Sequence, residues 1–223
     1  KRQHRNPALI DDTMSCMGPC FFMRKDRFLE LGGCDEAHGG WGQQGVEVAC
    51  KAWLSGGRLM VNKKTWFAHW FRGGSGPGFP YKIGGREVAA ARAHSKNLWL
   101  QNKWPKAKRT FEWLLDKFHP PGWSASEPVS ALASAPVSAA ASASTSASAP
   151  RLSVVIPSFK DPFLFKTIDS ILENFTGNLE IIPVIDGYEL ARPLPEDPRI
   201  RPVVFEHNCG MRRAINAGVQ SAR

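Results

Sequence analysis

The spacing of apolar and polar positions divides the chain into three stretches. From residue 152 the run LSVVIP is almost continuously apolar, as in a strand buried on both faces of a parallel sheet. DPFLFKTIDSILENF comes next with the period of an amphipathic helix and Pro162 in its first turn. LEIIPVIDG predicts a second buried strand ending in an acid and a glycine, Ile200 to Phe205 a third, and GMRRAINAGVQSAR a closing helix. Strand, helix, strand, loop, strand, helix describes a right-handed βαβ half-domain. Nearer the start, residues 16–72 predict strand, helix, a Gly/Trp loop, helix and strand, with His69 near the end of the last strand. Two further helices are expected over 85–104 and 105–123. The second has Pro105 near its first position and a stop at Pro120 and Pro121, with Trp99, Trp104, Phe111, Trp113, Leu114, Leu115 and Phe118 as apolar faces.

Between these stretches the pattern vanishes. Residues 124–150 hold 19 Ser or Ala in 27 positions, three prolines, one charge and no aromatic. Such a segment cannot bury enough apolar surface to offset chain entropy, so a disordered tether is expected there. The domain reading is therefore 1–123, a linker at 124–150, and 151–223.

Charge tracks this division. The formal net charge of +9 arises in residues 1–123, with 20 Lys/Arg against 10 Asp/Glu, whereas 151–223 balance at 9 against 9. The basic residues cluster between positions 82 and 117, which suits a solvated helix face, an anionic membrane surface contacted peripherally, or a diphosphate. No nucleic-acid motif accompanies the charge, so no specific nucleic acid is expected. The five cysteines are scattered with neither zinc-knuckle nor disulfide-scaffold spacing, as for free thiols in a reducing compartment. No run approaches the roughly 20 apolar residues of a membrane span. A cytoplasmic, at most membrane-peripheral, location is expected.

In an open α/β sheet, ligands bind beyond the carboxyl ends of the strands. Asp161 lies just past the first strand of 151–223 and Asp186 ends the second, where acids can accept hydrogen bonds from a base edge or ribose hydroxyls. Arg212 and Arg213 open the last helix, where a helix N-terminus and guanidinium groups suit a diphosphate. The glycine-rich dinucleotide fingerprint is absent, which argues against a nicotinamide or flavin enzyme.

VVIPSFKD, VIDG and HNCGMRRAINAGVQSAR together resemble the nucleotide-sugar half of family-2-type glycosyltransferases. DTMSCMGPCFFMRKDRFLELGGCDEAHGGWGQQGVEVACKAWLSGG, with Ala68-His69-Trp70-Phe71-Arg72 after it, resembles the acceptor half of the polypeptide N-acetylgalactosaminyltransferases and related bacterial and viral enzymes. The resemblance implies an α/β GT-A (Rossmann-like) glycosyltransferase fold, present as two half-domains in reversed order. It implies sugar transfer from a nucleotide diphosphate, UDP-sugars being favoured, to a hydroxyl of a glycan, protein or lipid-linked acceptor. A divalent metal, Mn²⁺ or Mg²⁺, is implied as cofactor, with His69 as a ligand. Pro157, Phe159, Asp161, Asp186, Arg212 and Arg213 become the donor residues, and Trp41, Asp35 and Arg72 the acceptor or sugar residues.

The departures from the family pattern bear on chemistry. No Asp-x-Asp or Asp-x-His occurs in 151–223, and Asp35, Glu36 and His38 of CDEAH are near-mimics in the other half. Where the family has Glu-Asn-x-Glu, the chain has Gln44-Gly45-Val46-Glu47. Gln44 cannot take a proton from an acceptor hydroxyl, so Glu47 is the nearest candidate base. Three readings stay open: Glu47 substitutes, the chemistry is retaining, or this copy is impaired. The reversed order is that of a window from a longer tandem enzyme, or else a circular permutant. The competing class is an inactive glycan- or nucleotide-binding remnant.

Overall fold

A computed structural model describes residues 7–66, 78–79, 83–122 and 152–223. The chain divides into two compact units, Lys1–Gly78 with Ile83–Ala139, and Phe79–Lys82 with Ala140–Arg223. The tether expected at 124–150 lies outside the described residues, as do His69, Trp70, Phe71 and Arg72.

In the first unit, β1 (Ile10–Asp12) pairs antiparallel with β2 (Met60–Asn62). Between them lie α1 (Lys25–Glu30), a 3-10 turn (Glu36–His38) and α2 (Gln44–Leu54), and after them α3 (Gly85–Trp99) and α4 (Phe111–Phe118). Where a strand is expected to open the 16–72 stretch, the structure instead has β1 upstream of residue 16. Residues 13–24 are irregular and turn at Met17–Cys20, where Pro19 has no N–H to offer a ladder. The stretch instead lies against the start of α2, because Gly45 leaves room for it. A Cβ on Gly45 would overlap the carbonyl oxygen of Cys16, and Cys16 Sγ donates to Gly45 O at 3.5 Å.

The final helix of this unit also starts later than Pro105. Thr110 is its N-cap, its hydroxyl accepting from Trp113 N at 3.2 Å. Residues 105–109 turn instead, with the N–H groups of Lys108 and Arg109 both donating to Leu54 O. The core gathers Leu31, Trp53, Leu54, Trp99, Trp104, Phe111 and Leu114. Its two deepest indoles are satisfied locally, Trp53 Nε1 by Thr13 O and Trp99 Nε1 by Ser95 Oγ, both at 2.9 Å.

The second unit is a mixed α/β layer on a parallel sheet ordered β3–β4–β5, with β3 at Leu152–Ser158, β4 at Leu179–Asp186 and β5 at Val203–Phe205. α5 (Leu164–Asn174) connects β3 to β4, and α6 (Met211–Ser221) comes after β5. All eight residues of β4 are buried, and alternate side chains serve opposite faces. Leu179, Ile181 and Ile185 meet Leu164 and Ile168 of α5, whereas Ile182 and Val184 meet Ala214 of α6. Gly218 lets α6 approach the sheet, since a Cβ there would collide with Val155 and Val184.

Candidate functional site

The segments immediately after β3 and β4 build the carboxyl edge of the parallel sheet. Ser158 ends β3 beside Ile185, and its Oγ lies 2.6 Å from the hydroxyl of Tyr188. Phe159 meets Tyr188 edge-on, with ring centroids 6.1 Å apart at 79°. Lys160 takes a left-handed φ of 49°, and the chain then reverses at Asp161, whose Oδ1 accepts from Phe163 N at 2.9 Å ahead of α5. Burial raises the Tyr188 hydroxyl above its ordinary pKa, the Ser158 bond opposes that, and Asp161 adds to the rise. Pro157 is inside β3 opposite Val184 and presents backbone rather than a polar group.

Asp186 is 2% exposed, and its carboxylate is engaged from within the protein. Oδ1 accepts from Cys209 N at 2.6 Å, and Oδ2 accepts from Gly210 N at 2.9 Å and Asn208 Nδ2 at 3.1 Å. The acid therefore clamps the His207–Gly210 loop at the start of α6. Gly187 permits the crossing: its φ is 70°, and a Cβ there would overlap the backbone of His207 and Asn208. At the head of α6, Arg213 is exposed, whereas Arg212 is 2% exposed and lies inside the unit. Of the two expected diphosphate partners, Arg213 is thus the one that faces solvent.

The first unit holds a second polar cluster. Asp35 precedes the 3-10 turn, with Oδ1 accepting from Ala37 N at 3.0 Å and Oδ2 2.7 Å from His94 Nε2 on α3. His38 Nδ1 stands 3.4 Å from the same Asp35 Oδ2 and 3.8 Å from Glu47 Oε2. The His38 and His94 rings meet edge-on, with centroids 4.6 Å apart. Burial works against ionisation of Asp35, yet His94, the Ala37 N–H and His38 together hold its carboxyl below the usual value. Among the described residues, Asp35, His38 and His94 form the cluster whose potential ligand atoms all lie within 4.8 Å of one another.

Glu47 lies behind that cluster and is 1% exposed. Its Oε1 accepts from Lys51 Nζ at 2.7 Å and from Asp35 N at 2.5 Å, and the Lys51 ammonium also donates to Gly33 O at 2.7 Å. This carboxylate fastens α2 to the loop before the 3-10 turn. Gln44 begins α2 and is buried against Gly18. Trp41 is 39% exposed on the loop between Gly39 and Gly42, whose φ values of 72° and 87° suit glycine. Sequence reasoning named neither Tyr188 nor His94. The first stands two residues after Asp186, a spacing that could have drawn attention; His94 carries no local signal, because only the packing of α3 brings it to Asp35.

Several basic residues of the 82–117 stretch have partners within the unit. Lys106 Nζ donates to Glu30 O at 2.5 Å, Lys117 pairs with Asp12 at 3.2 Å, and the Arg109 guanidinium stacks 4.2 Å above Trp113. No helix among the described residues is long and apolar enough to cross a membrane.

The second unit is a parallel α/β sheet with a loop-lined carboxyl edge, the place where open α/β sheets bind ligands. Residues 153–223 match the model of glycosyl transferase family 2. The chain is 42% identical over 55 residues to probable N-acetylgalactosaminyltransferase 8 of Caenorhabditis elegans, covering 25% of this chain and 13% of that protein. It is 36% identical over 81 residues to the uncharacterized glycosyltransferase EpsJ of Bacillus subtilis (strain 168), covering 33% of this chain and 23% of the relative. The likeness to family 2 glycosyltransferases thus rests on residues 153–223 and on these two partial matches, and the chain spans less than a quarter of the length of either relative. No solved structure matches it.

Proposed function

We propose that the complete protein transfers a sugar from a nucleotide-diphosphate donor, a UDP-sugar by preference, to a hydroxyl of a glycan, protein or lipid-linked acceptor. The observation that carries the reading is the family-2 match over 153–223, which falls on the sheet whose carboxyl edge gathers Phe159, Asp161 and Tyr188. In this reading the base lies against Phe159 and Tyr188, Asp161 accepts from ribose or base, and exposed Arg213 meets the diphosphate at the α6 N-terminus. Asp186 acts through the loop it clamps. Residues 1–123 would be the acceptor half of one domain and 151–223 the donor half of the next, with Trp41 a platform for the acceptor sugar. The N-acetylgalactosaminyltransferase relative supports a hexosyl or N-acetylhexosaminyl class of donor.

The implied Mn²⁺ or Mg²⁺ does not fit the described donor residues: no three ligand groups converge in 152–223, and both Asp186 oxygens are occupied. His69, outside the described residues, stays the proposed ligand in the complete enzyme. A non-catalytic nucleotide- or glycan-binding role is the second reading, favoured because Gln44 is not a base and Glu47 is sealed by Lys51. Calorimetry with UDP tests donor binding, which should weaken about tenfold in Asp161→Ala, as expected for a lost charge-assisted hydrogen bond. Transfer assays then separate the two readings. The longer parent should transfer sugar and lose this on His69→Ala, while residues 1–223 alone should not. Transfer by the isolated chain would instead support the circular permutant.

A further inference from the structure

We infer that Asp35, His38 and His94 form a binding site for a divalent transition-metal ion of the Zn²⁺ class. This site is separate from any cation that accompanies a donor diphosphate, and the inference does not depend on the glycosyl-transfer reading. The donor set argues first. Two imidazoles and one carboxylate are borderline ligands that suit Zn²⁺, Co²⁺ or Fe²⁺, whereas Mg²⁺ and Mn²⁺ favour oxygen-rich shells. Geometry argues second. Ligand atoms about 2.0–2.1 Å from a tetrahedral Zn²⁺ stand roughly 3.3 Å apart. His38 Nδ1 and Asp35 Oδ2 already stand 3.4 Å apart. His94 Nε2, now hydrogen-bonded to Asp35 Oδ2 at 2.7 Å, needs to withdraw by only about 0.6 Å to reach that same spacing.

The surroundings favour the ion as well. His38 is 1% exposed and held by the packing of the 3-10 turn, so it is oriented before any ion arrives. Asp35 is oriented through Oδ1 by the Ala37 N–H, which leaves Oδ2 facing both imidazoles. Glu47 Oε2, 3.8 Å from His38 Nδ1, puts a second carboxylate behind the first. The side chains of Asp35 and His94 remain partly exposed, which gives the ion an entry route and a water for the fourth position. Once bound, the ion would join α3 to the loop that precedes Trp41 and α2, across 59 residues of sequence. Its role is to brace the loop that carries Trp41 against α3.

The test uses the 223-residue chain with Co²⁺ as a spectroscopic probe and Zn²⁺ as competitor. The expected result is one Co²⁺ per chain with visible ligand-field absorption, displaced by Zn²⁺ and left intact by excess Mg²⁺. His94→Gln, at a partly exposed position, should keep the fold by circular dichroism and weaken Co²⁺ binding by about 100-fold or more, since even outer partners of a metal site are worth 10–100-fold. Asp35→Asn should do the same, and His69→Ala should leave the absorption unchanged. Zn²⁺ should also raise the unfolding midpoint of the wild-type chain and leave that of His94→Gln unmoved. Absence of ligand-field absorption in the wild-type chain overturns the inference. So does absorption that survives His94→Gln or disappears in His69→Ala. UDP binding is a separate readout, so failure here and failure of the donor reading are distinguishable.

Discussion

Replacing Asp186 by Ala should destabilise the second unit by about 3 kcal/mol. The side chain is buried and accepts three hydrogen bonds, two of them from the backbone N–H groups of Cys209 and Gly210 at the head of α6. A hydrogen bond to a charged group contributes about 1.5–3 kcal/mol. Residues 207–209 are exposed, so water can partly recover the freed donors, and the low end for two backbone bonds gives about 3 kcal/mol. Asp186→Asn keeps the volume but turns an amide N–H₂ toward N–H donors, and should lose roughly half as much. Urea unfolding monitored by far-ultraviolet circular dichroism measures the effect. For a slope near 2 kcal/mol per M, the midpoint falls by roughly 1.5 M. All eight tryptophans lie within residues 1–123, so tryptophan fluorescence reports the first unit and serves as the control. UDP binding should weaken at least about tenfold in the same variant, because the loop that orients the α6 N-terminus is released. A midpoint shift below about 0.5 M would falsify the clamp.

Glu180 supplies a pH test. Burial opposes its ionisation, but the Arg223 N–H, the Arg201 guanidinium and the Ser153 hydroxyl outweigh that and hold the carboxyl below its ordinary value. Its contribution to stability is therefore complete above the unfolded pKa of about 4.3 and is lost as pH falls through the lower folded value, so Glu180→Gln should flatten the acid limb of a stability–pH curve. An acid limb identical to wild type refutes this. Thiol titration of the folded chain should find Cys20 and Cys209 reactive, because they are exposed, and Cys50 silent, because burial pushes its thiol up to about 12. Rapid labelling of Cys50 contradicts that packing. Gly45→Ala should destabilise the first unit by more than about 1 kcal/mol, through the clash with Cys16 O, even though Ala is the better helix former by about that amount. A neutral or stabilising result in urea unfolding counts against the close approach.

The second unit was largely legible in advance. LSVVIP and LEIIPVIDG became β3 and β4, and the amphipathic stretches after them became α5 and α6. Ile200 entered only an isolated bridge with Ile181, and β5 began at Val203. These elements declare themselves because a parallel strand buried on both faces must be apolar throughout, whereas the helices beside it must be apolar on one side. In the first unit the helix expected after the Gly/Trp loop, which became α2, and the stop at Pro120 were equally readable. The strand expected early in 16–72 was not, because the backbone at Cys16 and Gly18 lies against the start of α2 while Met17 and Phe22 stay exposed and Met23 packs on the core.

The candidate sites divide along the same line. Sequence alone placed Asp161 and Asp186 at the ends of buried strands, since strand ends are set by the apolar pattern. It also marked Gln44 and Gly45 as departures from an acid-bearing motif. Only the tertiary structure decided how those groups are used. It turned Asp186 inward onto a loop more than twenty residues later and closed Glu47 against Lys51. It also separated buried Arg212 from exposed Arg213 and carried His94 on α3 to Asp35. The physical reason is that strand and helix periods are local properties of the chain, set by which face is buried. The partner of a carboxylate is set by long-range packing, and a buried acid accepts hydrogen bonds from whichever donors the fold brings within about 3 Å.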